Sequence, residues 1–259
     1  MLFRLKSPLR YPNDRRKSAS IVAQIIPDNV NKIASPFFGG GGLEMSLINK
    51  GYEIDGHVDF KNLYEFWLCL LKNPHQLYNY AQHFYPIDDE DVFYLIQKKI
   101  NEHDDVFLRA ALFYVINRCT EEGTITSGKF MKNHPEFNEY FLQKLKLFNT
   151  NSLNIFHSQP FDAIQNCKDF MVCCPSRYKS QNYLDAAQLV FPESPSINHV
   201  ELSHLLNKKN NWILLVNYHE NLIDMYEPYQ KVYLDKNYNI SNVNPSHILI
   251  FKESNNANI

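Results

Sequence analysis

The chain has 259 residues, 44% hydrophobic and 14% aromatic, enough for a sizeable core built as one α/β domain or as one carrying a smaller insertion. With 21% charged residues and a net charge of −2, the whole molecule is no magnet for polyanions, so any nucleic-acid contact has to come from a local cluster. Five cysteines without CxxC spacing point to a reducing, cytoplasmic setting, no apolar run approaches the roughly 18 residues of a membrane span, no secretory signal is expected, and the ten histidines form no metal-ligand pattern.

In chain order, the first segment is basic: Arg4, Lys6, Arg10, Arg15, Arg16 and Lys17 face a single acid, Asp14. Such a cluster reads either as a solvated tail or as a phosphate-contacting edge. A helical pattern follows over Lys17–Ile26, then a strand over Lys32–Phe38, four glycines, a helix over Leu43–Asn49 and a second strand over Tyr52–Asp59. From about Asn62 to Thr150 the pattern turns almost wholly helical, over Leu63–Leu71, His75–Phe84, Glu90–Glu102, Asp105–Cys119 and Glu136–Phe148. Strands return at Leu153–His157, Phe170–Cys174 and Trp212–Asn217, with helices over Val200–Leu206 and Glu220–Tyr226. Two last strands, Lys231–Leu234 and His247–Lys252, are joined without a helix, which permits an antiparallel hairpin at the sheet edge. Alternating strands and helices imply a largely parallel sheet covered on both faces. The expected division is a core of residues 1–61 and 151–259, with residues 62–150 inserted as a helical recognition unit.

The most informative stretch is Ser35-Pro36-Phe37-Phe38-Gly39-Gly40-Gly41-Gly42. Four glycines at a strand-to-helix turn cost backbone entropy and contribute no packing; they leave room for a ligand against bare backbone. Asp59, ending the next strand roughly 20 residues on, is placed to hydrogen-bond a ribose. A plain glycine turn with an unrelated Asp is the bland alternative.

Taken together, these stretches resemble the D12-class DNA adenine-N6 methyltransferases. The likeness rests on Ser7–Pro12, on Pro36–Gly41, on Asp59-Phe60 with the helix behind it, on Arg109–Cys119, and on Asn211-Trp212-Ile213-Leu214. It implies a Rossmann-like S-adenosylmethionine-dependent methyltransferase fold (class α/β) with an inserted helical domain, and double-stranded DNA as partner. Under the resemblance, Tyr11, Pro12, Phe38, Gly39, Gly40, Gly41, Asp59 and Phe161 are expected at the cofactor. Arg10, Arg15, Arg16, Asn117, Arg118 and Thr124 are expected near DNA, with Asn117 and Arg118 also suited to holding the loop at Glu121–Gly128 or to a structural role at the helix end.

The family's catalytic motif is Asp-Pro-Pro-Tyr after the fourth strand. Its Asp and a backbone carbonyl beside the prolines accept hydrogen bonds from the target amine, and its Tyr stacks on the flipped base. Here Cys174-Pro175-Ser176-Arg177 fills that place. Cysteine is a weak acceptor without fixed charge, and Arg177 would bring a positive charge beside a sulfonium. The family's Gly-Gly-Lys is Asn13-Asp14-Arg15, and the acid expected after the third strand falls on Pro160. The expectation is a DNA-binding pseudo-methyltransferase that transfers methyl groups poorly or not at all, alone or beside an active methyltransferase partner. The alternatives are an active enzyme in which Tyr178 supplies the ring, and a structural scaffold with no DNA role.

Overall fold

The computed structural model describes residues 4–11, 14–120, 123, 125, 128–175 and 197–252. Seven strands form one sheet: β1 (Lys32–Ser35), β2 (Glu53–Val58), β3 (Leu153–His157), β4 (Phe170–Cys173), β5 (Trp212–Asn217), β6 (Gln230–Leu234) and β7 (His247–Phe251). Their spatial order is β3-β2-β1-β4-β5-β7-β6, with the first five parallel. β7 runs antiparallel between β5 and β6, so the helix-free connection does close a hairpin, with β6 at the edge.

The sequence dictates which strands lie inside. Phe170-Met171-Val172-Cys173 and Trp212-Ile213-Leu214-Leu215-Val216 are continuous apolar runs, and all nine residues are buried, as parallel strands covered on both faces require. Neighbouring residues feed opposite cores: Ile33 packs on one side of the sheet and Ala34 on the other, and Leu249 and Ile250 divide in the same way. Cys173 and Cys174 also part company, Cys173 into the second core and Cys174 against the first, so they form no vicinal pair.

The first core is covered by α1 (Ala19–Ile25), α2 (Gly42–Ile48), α3 (Lys61–Lys72), α4 (Pro74–Gln82), α5 (Glu90–Lys99), α6 (Val106–Cys119) and α7 (Glu139–Lys146). The second is covered by α8 (Pro160–Asn166), α9 (His199–Asn207) and α10 (Glu220–Met225). α6 is buried almost all round from Ala110 onwards, and α3 lies between it and the sheet. The helices of residues 62–150 therefore share one apolar core with that face of the sheet. Side-chain caps start them: Asn73, Asp89, Asp105 and Asn138 each accept a hydrogen bond from an amide of the first turn, and Asn198 does the same for α9.

One helix is absent from the sequence reading. α8 follows β3 within three residues, with Pro160 at its first position, where a missing N–H costs nothing. That proline is the signal that marks the start of α8.

Candidate functional site

The fold puts a crevice between the carboxyl ends of β1 and β4. From β1 the chain crosses to β2 on one side, and from β4 to β5 on the other, so these neighbours form a topological switch point. Two segments rim it: the glycine loop after β1, and Cys174-Pro175 after β4.

The glycine loop is held from beneath. The Phe38 amide donates to the His57 carbonyl (3.1 Å), and the Trp67 indole N–H donates to the Gly39 carbonyl (3.1 Å). Phe38 and Trp67 meet edge to face, 5.2 Å between ring centroids. Gly56 on β2 has to lack a side chain, because a Cβ there would stand 2.6 Å from the Phe38 ring. Above the loop lies Tyr11. A Cβ at Gly39 would come within 2.7 Å of its ring, and one at Gly40 within 2.3 Å of its Cβ. Ser7 Oγ donates to the Gly40 carbonyl, and a Cβ at Gly42 would strike Asp14 Oδ1 at 2.0 Å. Gly41 has φ of +70°, a left-handed conformation that side chains resist. The bare backbone is thus matched to close neighbours, Tyr11 foremost.

Three acids surround this loop. Asp59 directly follows β2, its carbonyl accepting from His157 Nε2 (3.1 Å). Glu44, in the first turn of α2, is buried and accepts from Ser35 Oγ (2.7 Å). Burial pushes the Tyr11 phenol above its ordinary range, and the negative charges of Asp59 and Glu44 push it further. Asp14 caps the turn before α1, accepting from the Arg16 amide and pairing with its guanidinium (3.0 Å).

Across the crevice, burial pushes the Cys174 thiol up to about 12; Arg15 works against the shift and Glu44 adds to it. The thiol is neutral at physiological pH, a weak acceptor and not a thiolate. Arg15 is 5% exposed, and its guanidinium donates to the carbonyls of Leu215 and Pro175, the latter at 3.4 Å. The Pro175 carbonyl therefore already has a donor.

The family model for D12-class N6 adenine-specific DNA methyltransferases matches residues 15–244. The chain belongs to this family. No curated protein matches it. Members use S-adenosylmethionine as methyl donor and DNA as substrate. The residues present fit that donor: unsubstituted backbone at Gly39 to Gly42, carboxyl groups at Asp59 and Glu44, and an aromatic ring at Tyr11. Phe161, also expected at the cofactor, lies half-buried on α8 beside the second core.

The D12-like residues expected near DNA are placed otherwise than an exposed edge would have them. Asn117 is 2% exposed and clamps two segments: Oδ1 accepts from the Arg10 amide (2.9 Å), while Nδ2 donates to the carbonyls of Arg10 (2.7 Å) and Gly123 (2.9 Å). It does hold the inserted loop. Arg118, 4% exposed, donates to the Pro8 carbonyl and stacks over the Phe141 ring at 4.5 Å. Arg10 pairs with Glu136 at 2.7 Å and donates to the Thr120 carbonyl. Arg15, as above, faces the motif. Arg16 alone of the described set keeps an exposed side chain.

Pro12, Thr124, Ser176, Arg177 and Tyr178 lie outside the described residues, as do Glu121 and Glu122. Among the described residues no group of three or more His, Cys, Asp or Glu could hold a metal, and no helix is long and apolar enough to cross a membrane.

Sequence reading overlooked Glu44, Trp67 and the inward turn of Arg15. A signal existed for Glu44: it is an acid set among Leu43, Met45 and Leu47, all of them buried.

Proposed function

We propose that this D12-class chain is a pseudo-methyltransferase: a scaffold that binds DNA and retains a site for S-adenosylmethionine, but transfers methyl groups poorly or not at all. The observation that carries the reading is the rim after β4. An ionised aspartate would be an acceptor-only group with two oxygens; the neutral Cys174 thiol polarises an exocyclic amine far less. Arg15 donates to the Pro175 carbonyl, so an amine would have to compete with a guanidinium for that acceptor. Loss of one positioned polar group in a transition state costs about 10²–10³ in rate, and here two acceptors are affected. Bound S-adenosylmethionine would supply the activated methyl group; the rest is what this chain contributes.

On the cofactor side, Gly39 to Gly41 would lie against the ligand, Asp59 would accept from its ribose hydroxyls, and Tyr11 and Pro12 would cover it. Residues 62–150 would serve as the target-recognition unit, placed by Asn117 and Arg118 beside the N-terminal segment. Arg16, Lys17, Arg4 and Lys6 supply cations for phosphates. Such a scaffold acts by occupying DNA sites, or as the substrate-holding subunit of an active methyltransferase partner.

The test is a single-turnover assay with radiolabelled S-adenosylmethionine, protein in excess over unmethylated mixed-sequence DNA. The expected result is label on adenine at no more than about 10⁻² per second, 10²-fold below the lower end of the 1–10³ per second of ordinary enzymes. Transfer within that ordinary range would overturn the pseudoenzyme reading and return the active-enzyme alternative.

A further inference from the structure

Glu44 is a buried acid whose partner on the ligand is not assigned in the reading above. It is 6% exposed, although it stands only two residues past the glycine loop. Its carboxylate accepts one hydrogen bond from Ser35 Oγ (2.7 Å) and one from its own amide N–H. The Ser35 bond fixes it at the carboxyl end of β1, within the crevice between β1 and β4. Its charge reaches both rims, since Tyr11 above the glycines and Cys174 after β4 each feel it. A buried carboxylate is costly unless a cation meets it. Burial holds the Glu44 carboxyl above its usual range and Asp14 adds to this; Arg15 works against it, yet its guanidinium donates to the backbone carbonyls of Leu215 and Pro175. An ionised carboxylate offers about four acceptor positions, so roughly two remain.

We propose that Glu44 is the ion partner of the α-ammonium group of S-adenosylmethionine's amino-acid moiety. The inference rests on the cofactor reading above and deepens it. Asp59 and the glycines accommodate a nucleoside, which is one end of the ligand; the other end carries an ammonium that needs an anionic acceptor. Glu44 meets that need from α2, with Ser35 holding its carboxylate in one orientation. A charge-assisted bond in a site shielded from water is stronger than a neutral one, so the amino-acid end would add affinity that a nucleoside alone lacks. Glu44 is on this view a specificity determinant for the intact cofactor over its nucleoside fragments.

Titration calorimetry tests this with three probes: S-adenosylhomocysteine, its deaminated analogue, and 5′-methylthioadenosine. Wild-type protein is expected to prefer S-adenosylhomocysteine over the deaminated analogue by roughly ten-fold or more. Glu44→Gln keeps the shape and the Ser35 bond, and is expected to abolish that preference while binding 5′-methylthioadenosine as the wild type does. Equal wild-type affinity for the homocysteine ligand and its deaminated form would overturn the proposal without touching the cofactor site. So would a Glu44→Gln variant that weakens all three ligands alike. Failure of the wild type to bind any of the three would remove the cofactor reading and the proposal together.

Discussion

The two rims of the crevice offer different chemistry. Around the glycine loop, bare backbone, a buried ring system and acceptor carboxylates are all in place, and each glycine is matched to a specific neighbour. After β4 stand a neutral Cys174 thiol and Pro175, whose carbonyl already accepts from a buried arginine. Binding a ligand and activating an amine are separable tasks, and a scaffold can keep the first while losing the second. Packing explains the asymmetry in part. Changes at Gly39, Gly40, Gly42 or Gly56 would collide with Tyr11, Asp14 or Phe38, whereas a thiol after β4 fits where it stands.

The sharpest way to break this comparison is to rebuild the altered rim. Replacing Cys174, Ser176 and Arg177 by Asp, Pro and Tyr together is expected to raise single-turnover methyl transfer by about 10²-fold or more. No gain, from a folded variant that binds S-adenosylhomocysteine, would show that Cys174, Ser176 and Arg177 do not limit transfer, and would turn attention to the Arg15 bond to Pro175.

Next in size is the clamp that seats the N-terminal segment. Asn117→Ala removes three hydrogen bonds from a buried site and should cost about 2–4 kcal/mol in urea unfolding, at roughly 1 kcal/mol each. A loss below half a kcal/mol would show the segment to be held by packing alone.

His199, buried on α9, has its pKa pushed down to about 4 by desolvation, from a usual value of 6.5. The folded protein therefore binds fewer protons than the unfolded chain between those values. This contribution is present above pH 6.5 and is lost as pH falls towards 4, by at most about 3 kcal/mol. A His199→Gln variant should flatten that part of the stability profile; parallel profiles for variant and wild type would refute the assignment.

On the retained rim, Gly40→Ala forces a Cβ to within 2.3 Å of Tyr11 Cβ and should destabilise by about 1–3 kcal/mol. Pairing it with Tyr11→Gly should recover most of that loss, and strict additivity would argue against the contact. The smallest effect belongs to Arg16. If it contacts a phosphate, Arg16→Ala lowers the slope of DNA affinity against salt by about one, with little change in stability.

Much of the architecture is legible in the residues. All seven strands fall within a few residues of where β-branched and aromatic runs place them, and the glycine loop announces itself. Charged side chains are read less well, since a sequence pattern records a charge but not its direction. Arg15, Asn117 and Arg118 all carry groups suited to DNA, yet their donors go to backbone carbonyls contributed by segments 100 residues or more away, or by a loop six residues on. Glu44 shows the reverse, an acid on a short helix that tertiary contact buries beside the glycine loop.

By itself the sequence determined the alternation of strands and helices and the family, because these depend on local periodicity and on residue identity. Only the tertiary structure decided which strands are neighbours, that the glycine loop and Cys174 rim one crevice, and which charges are buried there. The physical reason is that burial and long-range hydrogen bonding set the state of a polar group, and both are properties of the assembled fold.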